Sequence, residues 1–412
     1  MANATGDMPL GRGRMIGARI VLLAGMGLIP MGQTVLFALL GPIAREFGLT
    51  EVMVGAIISL AAVTAVIAAP WWGQRCDRWG RRPVFLAAML GLAITTTVFT
   101  LVLEAGRAGW IIGVGAFLAL AAARIVYGFA VMGAQPAAAG WIADTTTAEK
   151  RTAGMALIGA AFGLGAILGP TLAWAMSGFD LLAPLYLIAA LALLAAVAAA
   201  LGLPETMRPA TGDRPSLSPA DRRLRLTLIS TLLAFVVVSS VQQTIAFYIQ
   251  DIDALDAAAT ARRVGQAMAL LALVMFVTQA TLASLKLSPG GLILGGACIG
   301  SLGSILLIAW PSETGILLAH AIFGLGFGTL IPGLQGRASL SVSPEEQGAT
   351  GGMIGAAMAG GYVFGPILGT WLYTQAAIAP YAGGFVLMLI IIALQVSAAA
   401  RRGRAAAPGS PT

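Results

Sequence analysis

The chain has 412 residues, of which 58% are hydrophobic and only 10% charged, and it carries a formal net charge of +7. A soluble domain has roughly 25% charged residues, so a soluble globular fold is excluded: too little polar surface exists to cover so much apolar side chain. The positive charge is spread over short turns between apolar stretches, which excludes nucleic-acid binding and matches the positive-inside distribution of membrane proteins.

The polar, basic start MANATGDMPLGRGRMIGARI has no small-residue cleavage site and reads as a cytoplasmic tail. Apolar stretches follow near 19–41, 53–72, 84–104, 109–137, 153–177 and 181–202. Six more lie near 226–250, 264–285, 291–310, 314–337, 348–374 and 381–399. Each is about the length a helix needs to cross a bilayer. The fold expected is all-α, a polytopic membrane protein with twelve transmembrane helices in two pseudo-symmetric six-helix bundles. The Pro-, Ser- and Arg-rich stretch 203–224 reads as a cytoplasmic linker between bundles at 1–202 and 225–412. Of 24 Lys and Arg residues, only Arg45, Arg107, Arg262 and Arg263 fall in turns on the side opposite the tail, and Arg124 lies inside a span. That asymmetry predicts cytoplasmic N- and C-termini. Cys76 and Cys298 fall in a turn and a span, so no disulfide and no metal site is expected.

The halves repeat. IGAAFGLGAILGPTL begins at residue 158 and IGAAMAGGYVFGPIL at 354, and the same offset carries Gly128 to Gly324 and Pro136 to Pro332. In the early spans GQTVLF at 32–37 matches QQTIAF at 242–247, and Val54-Gly55 matches Val264-Gly265. Two related halves place a binding site at their interface, near the bilayer midplane. The small residues around Gly165, Gly169 and Pro170, and around Gly365 and Pro366, allow close helix contact.

Between the second and third spans stands GQRCDRWGRRP, with Gly73, Asp77, Arg78, Gly80, Arg81 and Arg82 in the pattern G-x-x-x-D-R-x-G-R-R. Glycines permit a tight turn. Asp77 is suited to the positive end of a neighbouring helix. The arginines can pair with acids such as Asp144 or Glu149, and such pairs would latch the two halves together. The pattern resembles the signature loop of the major facilitator superfamily, a resemblance covering nearly the whole chain, which implies a gating role for the loop. LAAARIVYG (120–128) resembles the family's fourth-span motif, and GLGAILGP (163–170) the fifth-span motif of its exporters, with Ala173 and Trp174 where two glycines are usual. APWWGQRCDRWGRRPV, WIADTT and PGLQG also resemble tetracycline and multidrug proton antiporters. The charged span residues of tetracycline exporters are replaced by Ala24, Ile299 and Met275, with Gln279 retained, which argues against tetracycline itself as the substrate.

Polar groups inside spans are costly and point to function. Arg124 costs roughly 2.5–3.5 kcal/mol to insert at a span centre. Arg124, Tyr127, Val131 and Gln135 share one helical face, expected to line the cavity. His320 is the repeat counterpart of Arg124 and the only histidine, suited to a proton switch or to a neutral packed role. Gln33, Thr34, Phe37, Gln242, Gln243, Phe247, Gln279 and Gln335 complete a cavity of amides and aromatics. Asp251 and Asp253 are expected to be solvated at a span end, with Asp251 also a candidate coupling group beside Asp77, Arg124 and His320. No paired intramembrane carboxylates or phosphate-binding loop occur, so an enzyme or an ATP-driven pump is not expected, and no cofactor is implied.

The sequence therefore predicts a monomeric secondary transporter of the bacterial inner membrane, coupling efflux of a small-molecule substrate, drug or metabolite, to protons. Two other readings stand beside it: a carrier of an anionic metabolite or siderophore by export, symport or uniport, and a non-transporting membrane sensor.

Overall fold

The computed structural model describes residues 12–176, 178–206, 218, 221–282, 284–285, 287–343 and 346–406. Every element among them is helical: α1 (Arg12–Glu46), α2 (Glu51–Trp79), α3 (Arg81–Arg107), α4 (Gly113–Val131), α5 (Ala134–Thr145), α6 (Ala148–Met176) and α7 (Ala183–Gly202). Then come α8 (Arg225–Asp253), α9 (Ala257–Leu282), α10 (Pro289–Ala309), α11 (Glu313–Leu340), α12 (Gln347–Gln375) and α13 (Ala379–Ala406). With α4 and α5 taken together, 12 segments are long and apolar enough to cross a membrane. Helices are expected because hydrocarbon offers no partner to a free backbone amide. The same rule explains why the helices overrun the predicted stretches: α1 extends on both sides of 19–41.

The fourth span departs from the prediction. It begins at Gly113, because Gly109 and Gly113 take positive φ of 77° and 55° in the turn before it. It runs on to Thr145, past the expected end at 137, with a turn at 132–133 between α4 and α5.

Helices α1–α7 pack chiefly on one another, and α8–α13 do likewise. Successive spans, with α4 and α5 counted as one, run in opposite directions, so the turns gather at two ends. The basic end carries the 73–82 turn, and the far end carries the turns at 47–50 and 254–256. Close packing within each bundle uses matching residues. On α6, a methyl group added at Gly165 would overlap the Gly27 carbonyl of α1, and one at Gly169 would meet Thr34 and the Met31 oxygen at 2.6 Å. On α12, Gly365 sits against Ser239 and lies 2.7 Å, on the same measure, from the Val236 oxygen of α8.

The bundles meet through a second matched pair. The Cβ position of Gly55 on α2 lies 2.6 Å from the Pro366 oxygen of α12. That of Gly265 on α9 lies 2.9 Å from the Pro170 oxygen of α6. Both glycines lie within the far-end third of their helices. Toward the basic end the facing helices open: Gly159 and Gly163 of α6, and Gly351, Gly352 and Gly355 of α12, have empty space where a side chain would stand.

Candidate functional site

The charged turn is compact. Gly80 takes φ of 95°, a conformation costly for any residue with a Cβ. Arg81 is buried, and its guanidinium reaches Asp77 at 2.9 Å, Asp144 of α5 at 3.2 Å and the Cys76 carbonyl at 2.9 Å. Arg82 donates to the Ala200 carbonyl at the end of α7. These bonds tie α2, α3, α5 and α7 together, all in the first bundle. The expected latch between halves is therefore corrected: these pairs hold while the bundles are apart at this end.

Two further corrections follow. The acid at the α3 N-terminus is Glu205, which accepts from the Arg81 and Arg82 amides at 2.8 and 3.3 Å and fills the space beside Gly80; Asp77 pairs with Arg81 instead. Gly73 lies within α2 with open space before it, so it serves no turn. Arg78 is exposed. The Glu149 side chain and most of the linker expected at 203–224 lie outside the described residues. The linker's ends are anchored: Trp141 donates to the Pro204 carbonyl at 3.1 Å, and Arg223 pairs with Asp221 and Glu346, both at 2.8 Å.

Arg124 is 3% exposed. One Nη donates to Gln33 Oε1 at 2.5 Å, the guanidinium lies 4.1 Å from the Tyr127 ring centre, and buried Nε has no partner. Arg124 and Tyr127 line a small crevice with Gly32, Thr95, Thr96 and Phe99, of about 10 Å³ and so with room for about one water molecule. Its walls are α1, α3, α4 and α7, so this crevice lies inside the first bundle. Gln135 leaves the Arg124 stripe: it follows the turn at 132–133 and is exposed, whereas Tyr127 and Val131 are buried.

The remaining expected cavity residues divide. Thr34 is taken up by packing, with its hydroxyl on the Pro30 carbonyl at 2.9 Å, and Phe37 lies in the apolar core. Gln335 is exposed and Gln279 half-buried. Gln243 is 1% exposed, and its side-chain oxygen and that of Gln242 are buried without partners. Leaving such an acceptor unpaired costs about 1–3 kcal/mol. His320 is buried, with Nδ1 2.8 Å from the Ile316 carbonyl and its ring edge-on to Phe323. It shares no bond with Arg124, its repeat counterpart. Among the described residues no cluster of His, Cys, Asp or Glu is arranged for a metal ion.

The far end holds a knot that the sequence reading did not foresee. Arg45 of α1 reaches across to α8, bonding Asp251 at 2.5 Å and Gln250 at 3.1 Å, and pairs with Glu51 of α2 at 2.6 Å. Asp251 also accepts from Tyr373 of α12 at 2.6 Å. Phe247 lies beneath, 4.7 Å from the Arg45 guanidinium and 5.8 Å from the Tyr373 ring. Phe247 thus belongs to this closure, and Asp251 is engaged, not merely solvated. The available signal was charge on the wrong side: Arg45 broke the basic asymmetry. Gln243 lies one turn below Phe247 on the same face, directly under the knot.

The sequence profile of the Major Facilitator Superfamily matches residues 22–357. The class B tetracycline resistance protein of Escherichia coli is 28% identical over 360 residues, covering 84% of this chain and 86% of its own. Multidrug resistance protein 1 of Bacillus subtilis is 24% identical over 394 residues, covering 92% and 95%. Among solved structures, a bacterial homologue of the human lysosomal transporter Spinster superposes with a TM-score of 0.71 at 14% identity, covering 96% of each chain.

Proposed function

The chain belongs to the Major Facilitator Superfamily and is a multi-pass membrane transporter rather than an enzyme, and from that premise we propose that it exports a small organic molecule, drug or metabolite, in exchange for protons. The carrying observation is the one-sided separation of the bundles. They touch at the far end, through the Arg45–Asp251 knot and the Gly55 and Gly265 contacts, and stand apart toward the basic end. Alternating access needs two such states of opposite sense. With the termini in the cytoplasm, this state opens inward, and the substrate enters from the basic end to meet the amides of Gln242 and Gln243. Relatedness to tetracycline and multidrug resistance proteins supports efflux. Neutral amides suit a cargo rich in hydrogen-bond donors and acceptors.

In this reading Asp251 links protons to the cycle, supported by its bonds to Arg45 and Tyr373 across the far end. Ionised, it binds Arg45 and Tyr373 and holds the far end shut; protonated, it loses its attraction for Arg45. The test is purified protein in liposomes with an internal pH dye, given a proton gradient and a panel of cations, neutral drugs and carboxylates. Proton flux opposed to substrate, lost in Asp251→Asn, supports the reading. Substrate flux without a proton signal, or with protons moving in the same direction, refutes antiport. A second reading, an anion carrier, is favoured by the unpartnered Arg124 Nε; it predicts that only carboxylates pass and that Arg124→Leu abolishes their transport.

A further inference from the structure

One built cluster lies outside the transport path. On α2, Ile67, Trp71, Arg75 and Trp79 recur every fourth residue and so form one stripe. The Arg75 guanidinium carbon lies 4.9 Å from the ring centre of Trp71 and 4.9 Å from that of Trp79. The two indoles are nearly perpendicular, at 89°, with centres 6.0 Å apart. Trp71 is itself wedged against Trp72 at 4.9 Å and Phe129 of α4 at 5.1 Å. Trp72 is pinned by its Nε1 bond to the Phe129 carbonyl at 2.6 Å. The cation is therefore held by rings that are themselves fixed.

What the cluster lacks is an anion. Asp77, two residues on, is engaged with Arg81. Among the described residues Arg75 makes no ion pair and no hydrogen bond, and neither does the exposed Arg78 one turn further along. A guanidinium stacked on aromatic faces keeps its N–H edge free, and that planar fork fits a phosphate. An arginine that merely snorkelled to water would need neither indole.

Position then selects the phosphate's source. Below the cluster the surface is exposed and apolar: Ile67 is 72% and Val126 55% exposed. Paired tryptophans at the end of such a surface mark the level of lipid headgroups. We propose that Arg75, held by Trp71 and Trp79 and assisted by Arg78, binds the phosphate of an anionic phospholipid in the leaflet at the basic end.

The test uses full-length protein, delipidated in neutral detergent and titrated with phosphatidylglycerol, phosphatidylcholine or inorganic phosphate, with bound lipid read by native mass spectrometry. Phosphatidylglycerol is expected to bind at least about fivefold more tightly than phosphatidylcholine, the weight of one arginine near an anionic surface. Arg75→Gln removes that preference at unchanged melting temperature, and Arg75→Lys, which keeps charge but not the fork, restores only part of it. Arg78→Gln, at an exposed site that cannot disturb folding, gives a smaller loss. Equal binding of the two lipids, an unchanged preference in both Gln variants, or displacement of the lipid by inorganic phosphate at matched concentration overturns the proposal.

Discussion

Consider Gly55→Ala. The new methyl carbon would lie 2.6 Å from the Pro366 oxygen and 3.1 Å from its carbonyl carbon. These are backbone atoms of a helix, so no rotamer change relieves the clash. Overpacking of this kind costs about 1–3 kcal/mol. The cost falls only on conformations in which α2 touches α12, those shut at the far end. The equilibrium between states should shift toward far-end opening by roughly 5- to 150-fold. Spin labels at Ala108 and Ala377, exposed on far-end turns of opposite bundles, would report this as a growing population of long distances. Gly265→Ala should act in the same direction through the Pro170 oxygen, and the two effects should nearly add, because the contacts share no residue. An unchanged distance distribution with a lowered melting temperature would mean that the contact is only packing, and the reasoning would fail.

Other substitutions separate structure from mechanism. Arg124→Leu exchanges a buried charge for apolar bulk, so it should leave thermal stability equal or higher, with carboxylate transport in liposomes lost if the anion-carrier reading holds; a large drop in melting temperature would make Arg124 structural. Glu205→Gln weakens two charge-assisted bonds at the α3 N-terminus and should cost about 1 kcal/mol, seen as faster hydrogen exchange at Arg81 and Arg82. The linker tether should depend on pH. Arg223 holds Glu346 and Asp221 below their ordinary values of 4.5 and 3.8 through side-chain hydrogen bonds. The tether is therefore whole above about pH 4.5 and weakens as the pH falls below it; limited proteolysis of the linker should speed up over that window and not at alkaline pH.

The span pattern was legible because bilayer thickness writes itself into the length of apolar runs, and the repeat was legible because matching glycines sit where helices cross. The partners of charges were legible only in part: Asp144 was expected to pair with an arginine of the turn and does so with Arg81. Asp77 was expected at the positive end of a neighbouring helix; the path of the chain after α7 brings Glu205 to the α3 N-terminus, a residue the sequence reading did not single out. The Arg124 stripe failed at Gln135 because a count by helical period assumes an unbroken helix. Phe247 was read as a cavity wall because its face was right; its height along α8, beside Arg45, makes it part of the closure. Arg45 could have been singled out as a cation on the sparsely charged side with Glu51 nearby, but its partners in the other bundle, Gln250 and Asp251, lie some two hundred residues away.

In the exchange of cargo for protons proposed above, with cargo held at the unpaired amide oxygens of Gln242 and Gln243, the site has a kinetic consequence. A glutamine has no proton to give up, so a surface built from glutamines looks the same to its ligand at every pH. Proton and cargo then do not compete for one group, as they would at a shared carboxylate. They are linked only through the populations of the two conformations, and linkage of that kind is reciprocal. Acidity would change how many carriers face each side of the membrane, and with that the maximal rate, while the grip of each carrier on its cargo stayed constant.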